Sequence, residues 1–341
     1  MDLKGTRGLS HPRKHPNPHQ PSKLLRVGVA HWDDVERHER AKGEMDATWQ
    51  RLGQEAGAKT VGLNRVRVSP GKLPTPPHSH GASEELFYIL GGSGLAWQDD
   101  AVHEIRPGDC IIHRANELEH TLIAGPDGLD YLVYGTNYPT EFGWLPRSNA
   151  IRFGWPWTEG RTDDPWDIEA QQPPLAYGDP APRPPNIVNV DEVELEQQKT
   201  FVTAPLATRE RSDQAGLHWE RLDAGTHGSV PHCHSEDEEI FVILEGDGTL
   251  ELWPAPVPLS QGVEREDIPI RAGHVISRPP MTRIAHAFQA GPNGLTMLIY
   301  GTRRPNDAVW YPRSNKIFWR GLGVIGRIES LDYWDGEPTQ D

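Results

Sequence analysis

The chain contains one module twice. HTLIAGPDGLDYLVYGTNYPTEFGWLPRSNAI, beginning at His120, aligns without a gap to HAFQAGPNGLTMLIYGTRRPNDAVWYPRSNKI, beginning at His286, and about half of the positions are identical. Upstream, PHSHGASEELFYILGGSG (77–94) has the layout of PHCHSEDEEIFVILEGDG (231–248). VGLNRVRVSPG (61–71) matches AGLHWERLDAG (215–225) more weakly. Such a duplication restricts the chain to two copies of one fold, because each copy carries the same apolar pattern to bury. The second copy differs by an insertion, LWPAPVPLSQGVERED, where the first has only WQDDAVHE.

Within each copy the same chemistry recurs. A strand sends alternate side chains to one face. His232 and His234 therefore point together, and Cys233 points away. On the next strand Glu239, Phe241 and Ile243 share one face and Ile240, Val242 and Leu244 the other. Both faces are apolar, so the strand is expected to be buried on both sides. A carboxylate there is costly unless paired or bound to a cation. His78, His80 and Glu85 repeat the set at the same spacing, and His120 and His286 add a third imidazole to each copy. Imidazole plus carboxylate suits a divalent transition metal, Fe, Mn, Ni, Cu or Zn, up to one per copy. Glu85 and Glu239 are also the candidate catalytic bases.

These residues resemble the cupin superfamily. Its first motif reads roughly G-x5-H-x-H-x3-4-E-x6-G. His78, His80, Glu85 and Gly92 fit it, as do His232, His234, Glu239 and Gly246, while Gly71 and Gly225 stand one residue further upstream than the pattern. The second motif is looser, with turns at Pro107-Gly108-Asp109 and Ala272-Gly273-His274 before His120 and His286. The resemblance implies an all-β bicupin of two tandem double-stranded β-helix (jelly-roll) barrels, each with a metal facing an open mouth. Many short strands between Gly and Pro turns agree with a barrel or sandwich, as do 34 glycines and 32 prolines.

The expected organisation is a flexible tail over 1–26 and a first barrel with a leading arm over 27–150. A Pro/Trp-rich linker over 151–186, a second barrel over 187–325 and a tail over 326–341 follow. DDVERHERAKGEMDATWQRLGQEAG (33–57) reads as one or two surface helices, the short N-terminal helical segment of the fold. In the linker, Trp155, Trp157 and Trp166 predict a segment pinned to a surface, with a lid as the alternative. Arg147 and Arg313, in the repeated PRSN motif, are expected to tie down loops. His113 and Arg278 occupy similar positions but differ in chemistry, so they can distinguish the pockets. His103, His218, His227 and His274 are expected to be surface or core histidines rather than ligands.

A net charge of −15 argues against nucleic acid, which needs clustered Lys and Arg. Two cysteines, Cys110 and Cys233, make no disulfide framework and are expected to be small apolar fillers. No stretch reads as a membrane span or secretory signal, so a cytoplasmic protein is expected. The expected partners are a small-molecule substrate and further copies of the chain in a homo-oligomer. The expected function is a metal-dependent oxidoreductase of the dioxygenase type, acting on a small enolic or aromatic oxygen-bearing substrate. The alternatives are a redox-neutral isomerase, lyase or decarboxylase, and a non-enzymatic ligand-binding protein. TPPHSH and SVPHCH lack the arginine that bicupin oxalate decarboxylases usually carry just ahead of the His-x-His pair, which weighs against oxalate.

Overall fold

The computed structural model describes residues 28–153, 164–329, 331 and 333–337. The tail over 1–26, Trp155 and Trp157 lie outside them. Two eight-stranded antiparallel sheets dominate. In the first, Glu85–Gln98 lies between Asp109–His113 and His120–Thr136, and the sheet continues through Val61–Val68 and Met45–Gln50 to His38–Lys42. In the second, Glu239–Pro254 lies between His274–Arg278 and Ile284–Thr302, continuing through Ala215–Leu222 and Phe201–Ala207 to Glu196–Gln197. A smaller sheet containing Ser79–His80 completes the first barrel, and one containing Cys233–His234 completes the second. The architecture is two tandem double-stranded β-helix barrels.

The long central strands bend at repeated points. Register shifts fall between Ile89 and Gly91 and between Gly92 and Gly94, and again between Ile243 and Glu245 and between Gly246 and Gly248. Gly92 and Gly246 have φ of +78° and +79°. A Cβ there would run into the carbonyl oxygens of Gly128 and Gly294. Only glycine permits the corner.

The predicted alternation holds. Phe87 and Ile89 join the core of the first barrel, and Phe241 and Ile243 that of the second. Leu86, Tyr88, Ile240 and Val242 turn outward into one shared core between the barrels. At its centre Tyr134 stacks on Tyr300, centroids 4.7 Å apart at 13°. Two carboxylates clamp this interface reciprocally. Glu84 accepts from Ser212 Oγ (2.5 Å) and from the backbone N–H groups of Asp213 (2.9 Å) and Gln214 (3.0 Å). Glu238 accepts from the N–H groups of Lys59 (2.9 Å) and Thr60 (2.6 Å). Each repeat thus has two adjacent glutamates with opposite assignments: Glu85 and Glu239 face inward, Glu84 and Glu238 face the other barrel.

Two findings correct the sequence reading. Residues 33–57 are mainly a β-hairpin, His38–Lys42 against Met45–Gln50, and only Leu52–Glu55 is helical. Met45 and Ala47 are buried while Asp46 and Thr48 are less so, a period of two rather than 3.6. Two short strands also cross the boundary drawn from the repeat. Val29–His31 pairs with His274–Arg278 of the second barrel, and Ile187–Asn189 pairs with Asp109–His113 of the first. Each covers the open edge of the other module's sheet, where unpaired backbone groups would otherwise face solvent.

The described part of the linker, from Asp164 onward, packs on the first barrel. Pro165–Glu169 is a short helix whose Trp166 is buried with Met45, Trp97 and Ile123. The Arg40 guanidinium lies 3.3 Å from the centroid of the Trp166 ring. Arg147 holds the helix end through Glu169 (3.1 Å) and donates to the Pro173 carbonyl. Arg313 instead reaches Glu251 (3.8 Å) across the Trp253 ring, so the shared motif anchors different partners. Cys110 is buried and Cys233 half-buried, both free thiols. Among the described residues no helix is long and apolar enough to cross a membrane.

Candidate metal centres

His78 and His120 meet as a backbone bridge, each N–H donating to the other's carbonyl at 3.1 and 2.8 Å. His232 and His286 do the same at 3.2 and 2.9 Å. Two imidazoles from distant segments are thereby fixed side by side, and His80 and His234 join from the same short strands. In the first barrel the Nε2 atoms of His78, His80 and His120 lie 3.6, 3.4 and 3.2 Å from Glu85 Oε2. In the second, His232, His234 and His286 lie 3.7, 3.3 and 3.0 Å from Glu239 Oε2. The ligand atoms of His78, His80, Glu85 and His120 all lie within 4.8 Å of one another, as do those of His232, His234 and Glu239, while His286 joins the second group through its 3.0 Å approach to Glu239.

The far ring nitrogens are held as well. His78 Nδ1 is 2.9 Å from the Pro76 carbonyl and His232 Nδ1 is 2.8 Å from that of Val230. His80 Nδ1 lies 3.4 Å from Glu141, and His234 Nδ1 lies 2.7 Å from Asp307. An Nδ1–H committed to an acceptor leaves the Nε2 lone pair free to bind a cation. The chemistry of the inner set fits a divalent metal: His80 Nε2, His234 Nε2, His286 Nε2 and Glu239 Oε2 are buried without a hydrogen-bond partner. Buried polar atoms left unpaired in convergent sets call for an explanation, and one cation held by each barrel's own cluster supplies it.

Burial opposes charge throughout the cluster, yet the carboxylates prevail at one imidazole in each barrel. Glu85 and Glu141 push His80 up to about 10 against burial, and Glu239 and Asp307 do the same for His234. Burial alone would raise the Glu85 and Glu239 carboxyls, but the surrounding imidazoles hold both well below the ordinary range. Burial lowers His120, and takes His286 down to about 3. The carboxylate thus favours the protonated form of one imidazole in each cluster, His80 or His234.

Sequence reasoning passed over Glu141, Asp307 and Glu220 here and assigned His218 to the surface or core. Glu141 and Asp307, behind His80 and His234, were legible because they occupy one aligned position of the repeat (YPTEFGW against RPNDAVW). His218 and Glu220 were not, because the repeat differs there. A cavity of about 310 Å³ in the second barrel is lined by His232, Glu239 and His286, and by His218, Glu220 and Thr203. His218 is therefore not among the candidate ligands but lines the cavity they face. Burial, reinforced by the Glu239 charge, pushes the Glu220 carboxyl up to about 8. The positions aligned with His218 and Glu220 hold Asn64 and Val66.

His113 and Arg278 separate the centres further. Each stands in register opposite the cluster glutamate, Glu85 or Glu239. His113 stacks on His120, centroids 3.7 Å apart at 4°. Arg278 is buried and donates to the Ile284 carbonyl at 3.0 Å. In the first barrel the aligned carbonyl, Leu118, receives His120 Nδ1 at 3.0 Å. His286 Nδ1 has no such partner.

Residues 64–130 match the family model described as cupin domain. Over 110 residues it is 30% identical to 3-hydroxyanthranilate 3,4-dioxygenase of Xanthomonas euvesicatoria pv. vesicatoria (strain 85-10). That match covers 31% of this chain and spans little over half, 57%, of that protein. Among solved structures, oxalate decarboxylase from Bacillus subtilis at pH 4.6 superimposes with a TM-score of 0.56 at 13% identity, over 87% of this chain and 85% of that one. The Lactobacillus farciminis oxalate decarboxylase formate complex gives 0.56 at 12%, over 83% and 88%. At such identities the likeness is one of fold.

Proposed function

We propose that the protein is a bicupin enzyme that uses a divalent transition metal on a small substrate. Its ligand sets are His78, His80, Glu85 and His120 in one barrel, and His232, His234, Glu239 and His286 in the other. The reaction favoured is oxygenation, of the dioxygenase type, of an enolic or aromatic compound with two adjacent oxygens. The observation that carries this reading is the cavity of about 310 Å³ opening onto His232, Glu239 and His286. Phe241, Phe288, Met297 and Ile299 are among its lining residues, a surface suited to a flat apolar ring.

When bound, the metal would supply Lewis acidity toward adjacent substrate oxygens and, if redox-active, a means to activate O2. The chain's own residues do the remainder. The three imidazoles present Nε2 lone pairs in one direction, with Asp307 and the Val230 carbonyl fixing two of the rings. Glu239 Oε2 sits where it can take the proton of a bound hydroxyl. The apolar wall excludes water and orients the ring.

A redox-neutral decarboxylation is the second reading, supported by the shared fold of the oxalate decarboxylases. The cavity disfavours a dianion: Glu196, Glu220 and Glu239 line it, and no Lys or Arg among the described residues does so. Binding without catalysis is the third reading, and the two complete ligand sets weigh against it. The test is oxygen uptake by Fe-, Mn-, Ni- and Cu-loaded protein over a panel of catechols and 1,3-diketones. Uptake with ring- or chain-cleaved products is expected. Turnover of a keto acid without oxygen consumption would overturn the oxygenase reading in favour of the second.

A further inference from the structure

The inner wall of the second barrel holds a polar group that the ligand cluster does not use. Glu220 is 4% exposed, lines the cavity, and its Oε1 is buried with no hydrogen-bond partner. Leaving a carboxyl oxygen buried and unpaired is unfavourable, so the fold tolerates a loss that a ligand can relieve. The neighbouring Thr203 cannot, since its hydroxyl already donates to the Trp219 carbonyl at 3.1 Å. Gly228 leaves space beside the carboxyl: a Cβ there would come within 3.3 Å of Glu220 Oε1. The repeat provides an internal control, because the aligned residue of the first barrel is Val66, fully buried in an apolar core.

Resting on the oxygenase reading, we propose that Glu220 is the specificity-determining residue of the second barrel, pairing with a hydroxyl substituent carried on the substrate ring away from the two metal-binding oxygens. A carboxyl is the complement of a hydroxyl, able to accept from it. A carboxylate substituent at that place would be buried beside three glutamates with no basic residue to pair with, which is strongly unfavourable. The substrate class is an uncharged, hydroxyl-substituted catechol or enediol.

Three catechols of nearly equal size test this on full-length, zinc-loaded protein by titration calorimetry: 3,4-dihydroxybenzyl alcohol, 4-methylcatechol and 3,4-dihydroxybenzoate. Zinc keeps oxygen chemistry from consuming the ligand. The alcohol is expected to bind about tenfold more tightly than the methyl compound, one hydrogen bond's worth, and the benzoate most weakly. Glu220→Val should bring the alcohol down to the methyl compound. Glu220→Gln, which keeps shape and hydrogen bonding, should retain the preference for the alcohol. Metal content of both variants, expected to equal wild type, shows that the barrel has folded. Catechol binding with an order that neither variant changes, or with the benzoate tightest, would overturn the role of Glu220 and leave the oxygenase reading standing. Binding of none of the three would overturn both.

Discussion

At three aligned inward positions the first barrel holds Val66, Trp49 and Tyr131, and the second holds Glu220, Thr203 and Met297. The first set is bulky and fills its core; the second is polar or flexible and leaves a cavity. Each candidate cluster gathers three imidazoles around one carboxylate, at 3.2–3.6 Å in the first barrel and 3.0–3.7 Å in the second. The two copies thus share the His/Glu arrangement and differ in the wall. The bulky wall of the first barrel and the cavity of the second make the second the candidate for substrate, where Glu220 Oε1 is a buried polar atom without a hydrogen-bond partner.

The sharpest break of this comparison is to remove one ligand from each barrel. His234→Ala should lower turnover by at least about 1000-fold, the scale of losing a metal's transition-state stabilisation, whereas His80→Ala should retain most of it. Steady-state oxygen uptake reads both. Equal losses would make the barrels equivalent.

The shared core comes next. Tyr300→Ala removes half of the stacked pair and should cost about 3–5 kcal/mol. Because strands are exchanged and Glu84 and Glu238 clamp across the interface, calorimetry should show one transition for both barrels, moved to lower temperature. Two separated transitions would mean that the barrels fold independently.

Smaller effects lie behind the ligands. Asp307→Asn should weaken metal binding in the second barrel by about 10–100-fold. Glu141→Gln should do less in the first, since its contact with His80 is 3.4 Å against 2.7 Å for Asp307 with His234. Competition with a fluorescent chelator measures both.

The smallest effect is on pH dependence. His80 and His234 are raised from 6.5 to about 10 in the metal-free clusters. A group raised on folding stabilises fully below its unfolded value and ceases to as pH rises through its folded value. The chelator-treated protein should therefore lose melting temperature between about pH 7 and pH 10. The loaded protein, with its imidazoles already deprotonated, should lose less. Parallel curves would show that these protons are not linked to metal binding.

Much of this was legible in the sequence because duplication shows which residues a fold keeps. The eight candidate ligands and the two-faced central strand came from positions that agree between the copies, and the barrel architecture from the resemblance those positions carry to the cupin superfamily. What escaped was short or divergent. HERAK and MDATWQ are charged enough to resemble a surface helix, and only the turn at Gly43, with φ of +57°, betrays the hairpin. The exchanged strands Val29–His31 and Ile187–Asn189 are three residues each, too few to carry a pattern. Their trace is a faint second echo, HWDDVE (31–36) against NVDEVE (189–194). Glu220 escaped because an isolated glutamate in a strand reads as a solvated side chain until the barrel closes around it.

The most direct test is elemental analysis of untagged protein purified without chelator, beside His80→Ala and His234→Ala. Two complete clusters predict close to two equivalents of Fe, Mn, Ni, Cu or Zn per chain, and close to one in either variant. No metal in the wild type, even after reconstitution, would contradict the account at its base.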